Sequence, residues 1–269
     1  MNLQNLIESA IIASVDAGKE ILQIYNSEEL GVELKSDLSP LTLADKAAHE
    51  LIVNKLRSSG FPVVSEEGEI PGYSERSNYD YYWLLDPLDG TKEFINKNGE
   101  FTVNIALLKG NILLAGVVYV PVHDLLYFSF PEGKAYKLEN ASLEVVTNIT
   151  RSAEVLPLLQ DISAYTIIAS RSHLNQETLC WIAEARVKHA EIQLISAGSS
   201  MKFCRLAEGA AHVYPRFGRT AEWDTAAGHA ILKASGGRVV DAKSKEEIQY
   251  NKPEMYNQGF IAFSAFQKK

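Results

Sequence analysis

A change of pattern near the middle of the chain constrains the fold more than any other feature of the sequence. Residues 101–138 form short apolar runs between glycine-containing turns, which predicts an antiparallel meander. After the polar stretch 139–163, short apolar runs alternate with helical patterns, and this order is typical of an α/β arrangement. The sequence therefore predicts an α+β or α/β fold in two parts, an N-terminal α+β subdomain at 1–150 and a C-terminal α/β subdomain at 151–269.

The N-terminal part opens with an amphipathic helical pattern. Thr42, followed three residues later by Asp45, is a variant of the capping box and predicts the start of a second helix, which Gly60 would end. Apolar runs at 61–65 and 81–86 predict two short strands. Both strands end in carboxylates, and the ends of elements are where functional sites are commonly built.

Composition and charge disfavour several classes of protein. The chain has 269 residues, with 34 acidic against 26 basic side chains and a formal net charge of −8, which disfavours bulk nucleic acid as a partner. Cys180 and Cys204 lie outside any Cys-x-x-Cys spacing and are too few for a disulfide framework, which favours a reducing compartment. The start of the chain lacks a signal-peptide pattern, and the longest apolar stretch, 112–122, is too short to span a membrane. We therefore expect a cytoplasmic protein without a transmembrane segment.

Carboxylates at the ends of predicted elements are the candidate functional residues, namely Asp45, Glu66 with Glu67, Asp86 with Asp89, and Asp224. In the run Asp86-Pro87-Leu88-Asp89-Gly90-Thr91, proline fixes φ and glycine permits a left-handed residue, so the two aspartates can converge beside the Leu88 carbonyl. Two carboxylates about 4 Å apart repel by ~4 kcal/mol at an effective dielectric constant near 20, so such a cluster needs a shared proton or a cation. Hard oxygen ligands indicate magnesium or manganese rather than zinc.

Each of these signals also has an ordinary structural interpretation. The run 86–90 is good turn chemistry, paired glutamates are commonly solvated, and Asp45 and Asp224 would serve as helix-capping acids. Other phosphate or metal chemistry fits less well. Haloacid-dehalogenase phosphatases need two aspartates separated by one residue, whereas two residues separate Asp86 from Asp89, and the sequence contains neither a Walker motif nor an EF-hand loop.

Three spaced motifs occur together in this chain: Ser65-Glu66-Glu67, Trp83-Leu84-Leu85-Asp86-Pro87-Leu88-Asp89-Gly90-Thr91 and Glu222-Trp223-Asp224-Thr225-Ala226-Ala227-Gly228. In this order they resemble the lithium-sensitive, magnesium-dependent phosphatases of the inositol monophosphatase superfamily, and the resemblance covers nearly the whole chain. Within that superfamily, four further stretches are similar to the bacterial 3'(2'),5'-bisphosphate nucleotidases: 92–95, 98–106, 170–173 and 214–218.

The resemblance implies a layered αβαβα sandwich that binds two or three Mg²⁺ ions, for which Mn²⁺ would be a substitute. It implies that the metal ligands are Glu66, Asp86, Asp89, Asp224 and the carbonyl of Leu88. Asp45 and Thr91 would orient and deprotonate the attacking water, which the metal makes more acidic. The same resemblance places the substrate against Glu66, Leu88, Asp89, Gly90, Thr91, Ser170, His173, Gly198, Lys202 and Asp224.

The activity that the resemblance implies is hydrolysis of the 3'-phosphate of adenosine 3',5'-bisphosphate to AMP, with 3'-phosphoadenylyl sulfate as a second substrate. An inositol monophosphatase or sugar bisphosphatase with the same metal core is the alternative, and a catalytically silent metal or nucleotide sensor is a third interpretation. We expect Lys202, with Arg171, to bind a second phosphate. For Arg216 and Arg219 the sequence allows either contact with the nucleotide or surface ion pairing. A homodimer is left open, as is a loose association with the inner membrane, which rests on the resemblance alone.

Overall fold

A computed structural model gives the structure of residues 2–35, 39–144, 149–158, 163–171 and 174–266. The elements of the first half are, in chain order, α1 (Leu3–Tyr25), β1 (Glu33–Leu34), β2 (Pro40–Leu41), α2 (Leu43–Leu56), β3 (Val63–Ser65), α3 (Tyr73–Arg76), β4 (Tyr81–Asp89), α4 (Thr91–Ile95), β5 (Thr102–Lys109), β6 (Ile112–Val120), β7 (Leu125–Phe130), β8 (Lys134–Glu139), α5 (Ala141–Glu144), α6 (Ile149–Ser152) and β9 (Glu154–Leu156). The second half continues with β10 (Tyr165–Ser170), α7 (Gln176–Lys188), β11 (Ile192–Ala197), α8 (Met201–Glu208), β12 (Val213–Arg216), β13 (Thr220–Ala221), α9 (Trp223–Ala234), β14 (Arg238–Asp241), β15 (Tyr256–Asn257) and β16 (Phe260–Phe263).

Two sheets form the framework. A seven-stranded sheet has the strand order β3-β4-β5-β6-β7-β8-β9 and contains the predicted antiparallel meander; its β3 pairs parallel with β4. A five-stranded sheet has the order β11-β10-β12-β16-β14, in which β10 is parallel to both of its neighbours and β16 is antiparallel to both of its own. The sheet of the second half is therefore mixed.

Helices separate and cover the two sheets, which confirms the predicted αβαβα sandwich. The pair α1 and α2 covers one face of the seven-stranded sheet. Helices α8 and α9 lie between the two sheets, and α7 covers the outer face of the five-stranded sheet. Strand β4 alternates between two apolar cores: Trp83 and Leu85 pack toward α1 and α2, and Tyr82 and Leu84 pack toward α8 and α9.

A glycine on β6 sets the distance between the central helices and the seven-stranded sheet. A Cβ added at Gly116 would lie 2.2 Å from the carbonyl oxygen of Ala227, which is backbone of α9. Any larger residue at Gly116 would therefore push α9 away from the sheet. Because α9 carries Asp224 in its first turn, this close approach fixes one wall of the candidate site.

The predicted second helix begins as expected. The Thr42 N–H donates to Asp45 Oδ2 (2.7 Å) and the Ala44 N–H donates to Thr42 Oγ1 (3.2 Å), so the capping box at the start of α2 is confirmed. The α-helix stops at Leu56, before a 3₁₀ turn at Arg57–Ser59, and Gly60 follows that turn with φ of 72°.

Some predicted bounds are wrong for identifiable reasons. Strand β4 runs to Asp89 rather than ending at Asp86, because a bulge between the two aspartates lets pairing resume between Asp89 and Thr102. The sequence does not predict β14, in which only Val239 is fully buried, so the strand lacks a clear apolar pattern. Within the part of the chain that the structure describes, no helix is both long and apolar enough to cross a membrane.

Candidate active site

The carboxyl ends of two parallel strands bring the first acidic residues together. Strands β3 and β4 pair with Ser65 opposite Leu85, and the Glu66 N–H donates to the Leu85 carbonyl (3.0 Å). Glu66 therefore lies beside Asp86, the next residue of β4. Asp86 Oδ1 accepts a hydrogen bond from the Leu88 N–H (3.1 Å), which fixes the start of the turn that follows.

Asp224 reaches the same point from the other side of the cleft. It lies in the first turn of α9, and its Oδ2 accepts the Ala221 N–H at 2.9 Å. One carboxylate oxygen each of Glu66, Asp86 and Asp224 lies within 4.8 Å of the other two. Three acids that are far apart in the sequence thus form one cluster, which is the convergence that the sequence motifs suggested.

Asp89 lies outside this group of three but near enough for its charge to act on Asp86 and Asp224, and a polar network that the sequence analysis missed holds it there. Its Oδ2 accepts hydrogen bonds from Ser200 Oγ (2.9 Å) and Asn104 Nδ2 (3.3 Å). Asn104 is opposite Asp86 on β5 and is buried, as is Ser200 just before α8. The available signal was Asn104 itself, a polar residue within an otherwise apolar strand, which must find partners when it is buried.

Burial and mutual repulsion dominate the electrostatics of the cluster. Burial, together with the neighbouring carboxylates, raises the pKa of Asp86 and Asp224 well above the usual aspartate value. Burial also raises the pKa of Glu66, although Lys35 opposes the change, and that of Asp89, against the effects of Lys202 and the hydrogen bonds of its network. Such a cluster favours either a proton or a cation.

Lys35 is a further residue that the sequence analysis missed. Its ammonium lies 2.8 Å from Glu66 Oε1 and 2.5 Å from Glu67 Oε1. Burial alone would lower the pKa of Lys35, but the charges and hydrogen bonds of the two glutamates raise it above the usual lysine value. Lys35 therefore stays charged and partly balances the cluster. No local sequence pattern indicates this role of Lys35, because the contact joins a loop to the end of β3.

The predicted catalytic pair is in hydrogen-bonding contact. The Thr91 hydroxyl, just after the turn that ends β4, lies 3.3 Å from Asp45 Oδ1 and 3.5 Å from the Leu88 carbonyl oxygen. The other oxygen of Asp45 serves the α2 capping box, so one carboxylate both caps a helix and meets Thr91. Burial raises the pKa of Asp45 even though its hydrogen bonds with Thr42 oppose the change.

A cleft of about 330 Å³ opens over these groups. Its lining includes most of the predicted site residues, namely Glu66, Asp86, Leu88, Asp89, Gly90, Thr91, Ser170, Lys202 and Asp224. Asp45 does not line the cleft and meets it only through Thr91. Gly198 is buried behind the wall, where its N–H donates to Glu100 Oε2 (2.8 Å). His173 lies outside the described residues.

The cations predicted to bind a second phosphate are differently placed. The Lys202 ammonium is buried at the cleft, where it donates to the carbonyls of Ser199 (2.5 Å) and Ala197 (3.3 Å). Burial lowers its pKa to about 8, while Asp89 opposes the change. Arg171 instead forms a two-pronged ion pair with Glu100, with both N–O distances 2.8 Å.

The donor set fits a hard divalent cation. The clustered atoms are carboxylate oxygens, their spacing is close enough for shared coordination, and their negative charge is buried. No histidine or cysteine belongs to this cluster among the residues that the structure describes, which argues against a zinc site.

A layered αβαβα sandwich with an all-oxygen carboxylate site beside a cleft is the architecture of a metal-dependent phosphatase. The chain belongs to the inositol monophosphatase family, whose sequence profile matches residues 2–268, and members of this family are metal-dependent phosphatases.

Among the relatives it resembles is the 3'(2'),5'-bisphosphate nucleotidase CysQ of Escherichia coli K12, with 44% identity over 249 residues, 91% of this chain and 94% of the relative. CysQ of Salmonella typhimurium is 42% identical over 95% of this chain and 98% of its own length. The crystal structure of CysQ from Bacteroides thetaiotaomicron superposes with a TM-score of 0.90, at 45% identity and with 98% of both chains covered.

Proposed function

We propose that this chain is a metal-dependent 3'(2'),5'-bisphosphate nucleotidase that hydrolyses adenosine 3',5'-bisphosphate to AMP and phosphate. In the same way it would convert 3'-phosphoadenylyl sulfate to adenylyl sulfate. The observation that carries the proposal is the convergence of Glu66, Asp86 and Asp224 at a cleft that also contains cationic side chains. The similarity to CysQ proteins over nearly the whole chain supports nucleotide over inositol or sugar phosphates as the substrate.

The metal ligands in this proposal are Glu66, Asp86, Asp89, Asp224 and the Leu88 carbonyl, holding two or three Mg²⁺ ions that Mn²⁺ can replace. Four raised carboxyl pKa values support it, because a group that is costly to ionise without a counter-charge gains most when a cation arrives. Bound divalent ions neutralise the approaching phosphate and make a water molecule more acidic.

The chain's own proton-transfer groups are Thr91 and Asp45. With the Thr91 hydroxyl donating to Asp45 Oδ1, the threonine oxygen keeps lone pairs that can accept a proton from the attacking water. The threonine proton moves to Asp45 as the water proton moves to Thr91, so the pair acts as one base. The water oxygen attacks phosphorus and the bond to the 3'-oxygen breaks. That oxygen takes a proton from a solvent water molecule and becomes the 3'-hydroxyl of AMP, and Asp45 returns its proton through Thr91 to the hydroxide that remains. No phosphoenzyme forms.

The Thr91–Asp45 contact also supports an enzyme over a silent sensor. Capping of α2 uses one oxygen of Asp45, whereas the other oxygen is hydrogen-bonded to a hydroxyl that lines the cleft, a contact that neither the cap nor ligand binding requires. The hydrogen bond and the raised pKa of Asp45 are the arrangement expected of a general base.

A phosphate-release panel tests the proposal. Purified protein is assayed with adenosine 3',5'-bisphosphate, inositol 1-phosphate and fructose 1,6-bisphosphate, with and without Mg²⁺ and with added Li⁺. We expect the nucleotide to have the highest kcat/KM, no turnover without metal, and inhibition by Li⁺. Asp224→Asn should lower kcat by orders of magnitude, whereas Asp80→Asn, an exposed aspartate before β4, should not. Faster hydrolysis of either of the other substrates would replace this proposal with the corresponding alternative.

A further inference from the structure

Four cationic side chains line the cleft: Lys92, Lys202, Arg216 and Arg219. A nucleoside bisphosphate brings a second phosphate that does not react, and this phosphate needs a cation at some distance from the carboxylate cluster. The question is which of these side chains is both available and held in place.

Arg219 is held by a ring contact, and in the part of the chain that the structure describes none of its side-chain N–H groups donates a hydrogen bond to a protein atom. Its guanidinium carbon lies 3.4 Å from the centroid of the Tyr256 ring, so the two planes of atoms are in direct contact. A stacked guanidinium contacts the ring through its face, and its N–H groups point outward in its own plane. Within the described ranges, no carboxylate lies within 4.0 Å of Arg219, so the surface ion pair that was its alternative fate does not form there.

The backbone holds this stacked pair in a fixed place relative to the metal cluster. Arg219 immediately precedes β13, and Tyr256 belongs to β15, which pairs with β13 so that Ala221 is opposite Tyr256. Ala221 in turn donates its N–H to Asp224 Oδ2. The same short ladder therefore positions both the arginine and one of the clustered carboxylates.

The other cations are less suited to the role. Arg216 lies on β12 with 9% of its surface exposed, so a phosphate in the cleft reaches it less readily than the exposed Arg219. Arg171 is engaged by Glu100 and does not line the cleft.

Lys202 is buried and donates to two backbone carbonyls. Among the charges that favour its protonated form, that of Asp89 has the largest effect. Lys92, on the first turn of α4, is exposed as Arg219 is, but within the described ranges no aromatic ring or acid lies against it. A lysine there presents a point charge on a flexible stem, whereas an arginine presents a planar fork that matches two phosphate oxygens.

We propose that Arg219, stacked on Tyr256, binds the non-reacting phosphate of the nucleoside bisphosphate and so determines the preference for bisphosphates over monophosphates. The inference rests on the proposed nucleotidase function, which it makes more specific. Arg219 is then a substrate-binding residue, and Tyr256 is a positioning residue that acts through it.

The test compares two substrates that share the reacting 3'-phosphate: adenosine 3',5'-bisphosphate and adenosine 3'-monophosphate. We expect the wild-type enzyme to prefer the bisphosphate, and Arg219→Gln to lower kcat/KM for it about 10-fold or more, mainly through KM. The kcat/KM for the monophosphate should change little, so the preference for the bisphosphate should be largely lost. Arg219→Lys should restore part of the preference, because it returns the charge without the fork.

Tyr256 variants separate positioning from general stability. Tyr256→Phe keeps the ring and should keep the substrate preference. Tyr256→Leu should lower kcat/KM for the bisphosphate and leave kcat/KM for the monophosphate unchanged. Arg238→Gln is the matched control, since Arg238 also stacks on an aromatic ring, with its guanidinium carbon 4.7 Å from the Phe263 centroid, but does not line the cleft. Thermal unfolding of each variant shows that it is folded.

The outcomes separate the inference from the function on which it rests. Wild-type enzyme that hydrolyses neither nucleotide would overturn both. If Arg219→Gln keeps the wild-type preference, or lowers kcat/KM for both substrates equally, the role of Arg219 is overturned and the nucleotidase function is left intact. If Lys92→Gln loses the preference and Arg219→Gln keeps it, the residue that binds the second phosphate is Lys92.

Discussion

Asp86→Asn should make the metal-free protein more stable and the metal-loaded protein less stable than the wild type. Asp86 is buried within the carboxylate cluster, and burial together with its acidic neighbours raises its pKa. Asparagine has nearly the same shape and keeps an oxygen that can accept the Leu88 N–H, as Asp86 Oδ1 does at 3.1 Å. The substitution therefore removes one charge and preserves the local turn.

The magnitude follows from the spacing of the cluster. Two ionised carboxylates with oxygens 4.8 Å apart, the outer limit here, repel by about 3.5 kcal/mol at an effective dielectric constant of ~20. Partial protonation relieves part of this repulsion in the wild type, so we expect a net gain of about 1–3 kcal/mol in the free energy of unfolding. For a chain of this size, that gain raises Tm by roughly 2–5 °C.

The gain depends on pH with a definite sign. A carboxyl whose pKa is higher in the folded than in the unfolded state binds its proton more tightly when folded, so it stabilises the fold at low pH and loses that contribution as pH rises through the folded pKa. The difference between Asp86→Asn and wild type should therefore be small near pH 4 and widen toward pH 8.

Thermal unfolding measures both effects. With a chelator at pH 8, Asp86→Asn should unfold at a higher temperature than the wild type, and Asp80→Asn should match the wild type. With Mg²⁺ at about 1,000 times its dissociation constant, the wild type should gain about 4.1 kcal/mol and the variant much less, which reverses the order. A metal-free Asp86→Asn protein that is less stable than the wild type at pH 8 would refute the electrostatic reasoning.

Three further substitutions test other parts of the structure. Thr91→Val should lower kcat by about 100-fold or more while the Mg²⁺-dependent rise in Tm stays the same; a parallel loss of metal stabilisation would place Thr91 among the ligands instead. Gly116→Ala should destabilise the fold by about 1–3 kcal/mol in urea unfolding, because its Cβ would lie 2.2 Å from the Ala227 carbonyl oxygen; no change would mean that α9 can move away freely. Tyr127→Phe removes the 2.8 Å hydrogen bond to buried Glu208 and should cost about 1 kcal/mol with kcat unchanged, so altered kcat would contradict the separation of this pair from the site.

Local chemistry explains which parts of the site could be predicted from the sequence. The capping box at Thr42 depends on residues within a few positions of each other, and it appears in the structure. The run after Asp86 is also local, but in the structure it forms a bulge within β4 followed by a left-handed Gly90, and the strand does not end at Asp86. The convergence of Glu66 with Asp86 requires β3 and β4 to pair in parallel, which no local pattern specifies. The family resemblance supplied that long-range information.

The residues that were missed share the opposite property. Lys35, Asn104 and Ser200 matter only through partners that are 15 to 111 positions away in the chain. Lysine in a loop and serine before a helix are common at protein surfaces, so these residue types do not indicate a functional role. Only Asn104 breaks the pattern of its own element, and a buried polar residue in a central strand is the kind of signal that deserves weight in sequence analysis.

The two apolar cores explain why the carboxylate cluster persists without dispersing. Strand β4 contributes side chains to both cores, so the end of the strand that carries Asp86 cannot move outward without exposing Trp83 or Leu84 to water. On the facing wall, α9 is held against the sheet at Gly116. Burying one large side chain is worth about 1.5–3 kcal/mol, comparable to the repulsion between two of the carboxylates, and several such side chains secure each element. The scaffold therefore holds the negative charges together, and relief of that repulsion is available to any divalent cation that enters the cleft.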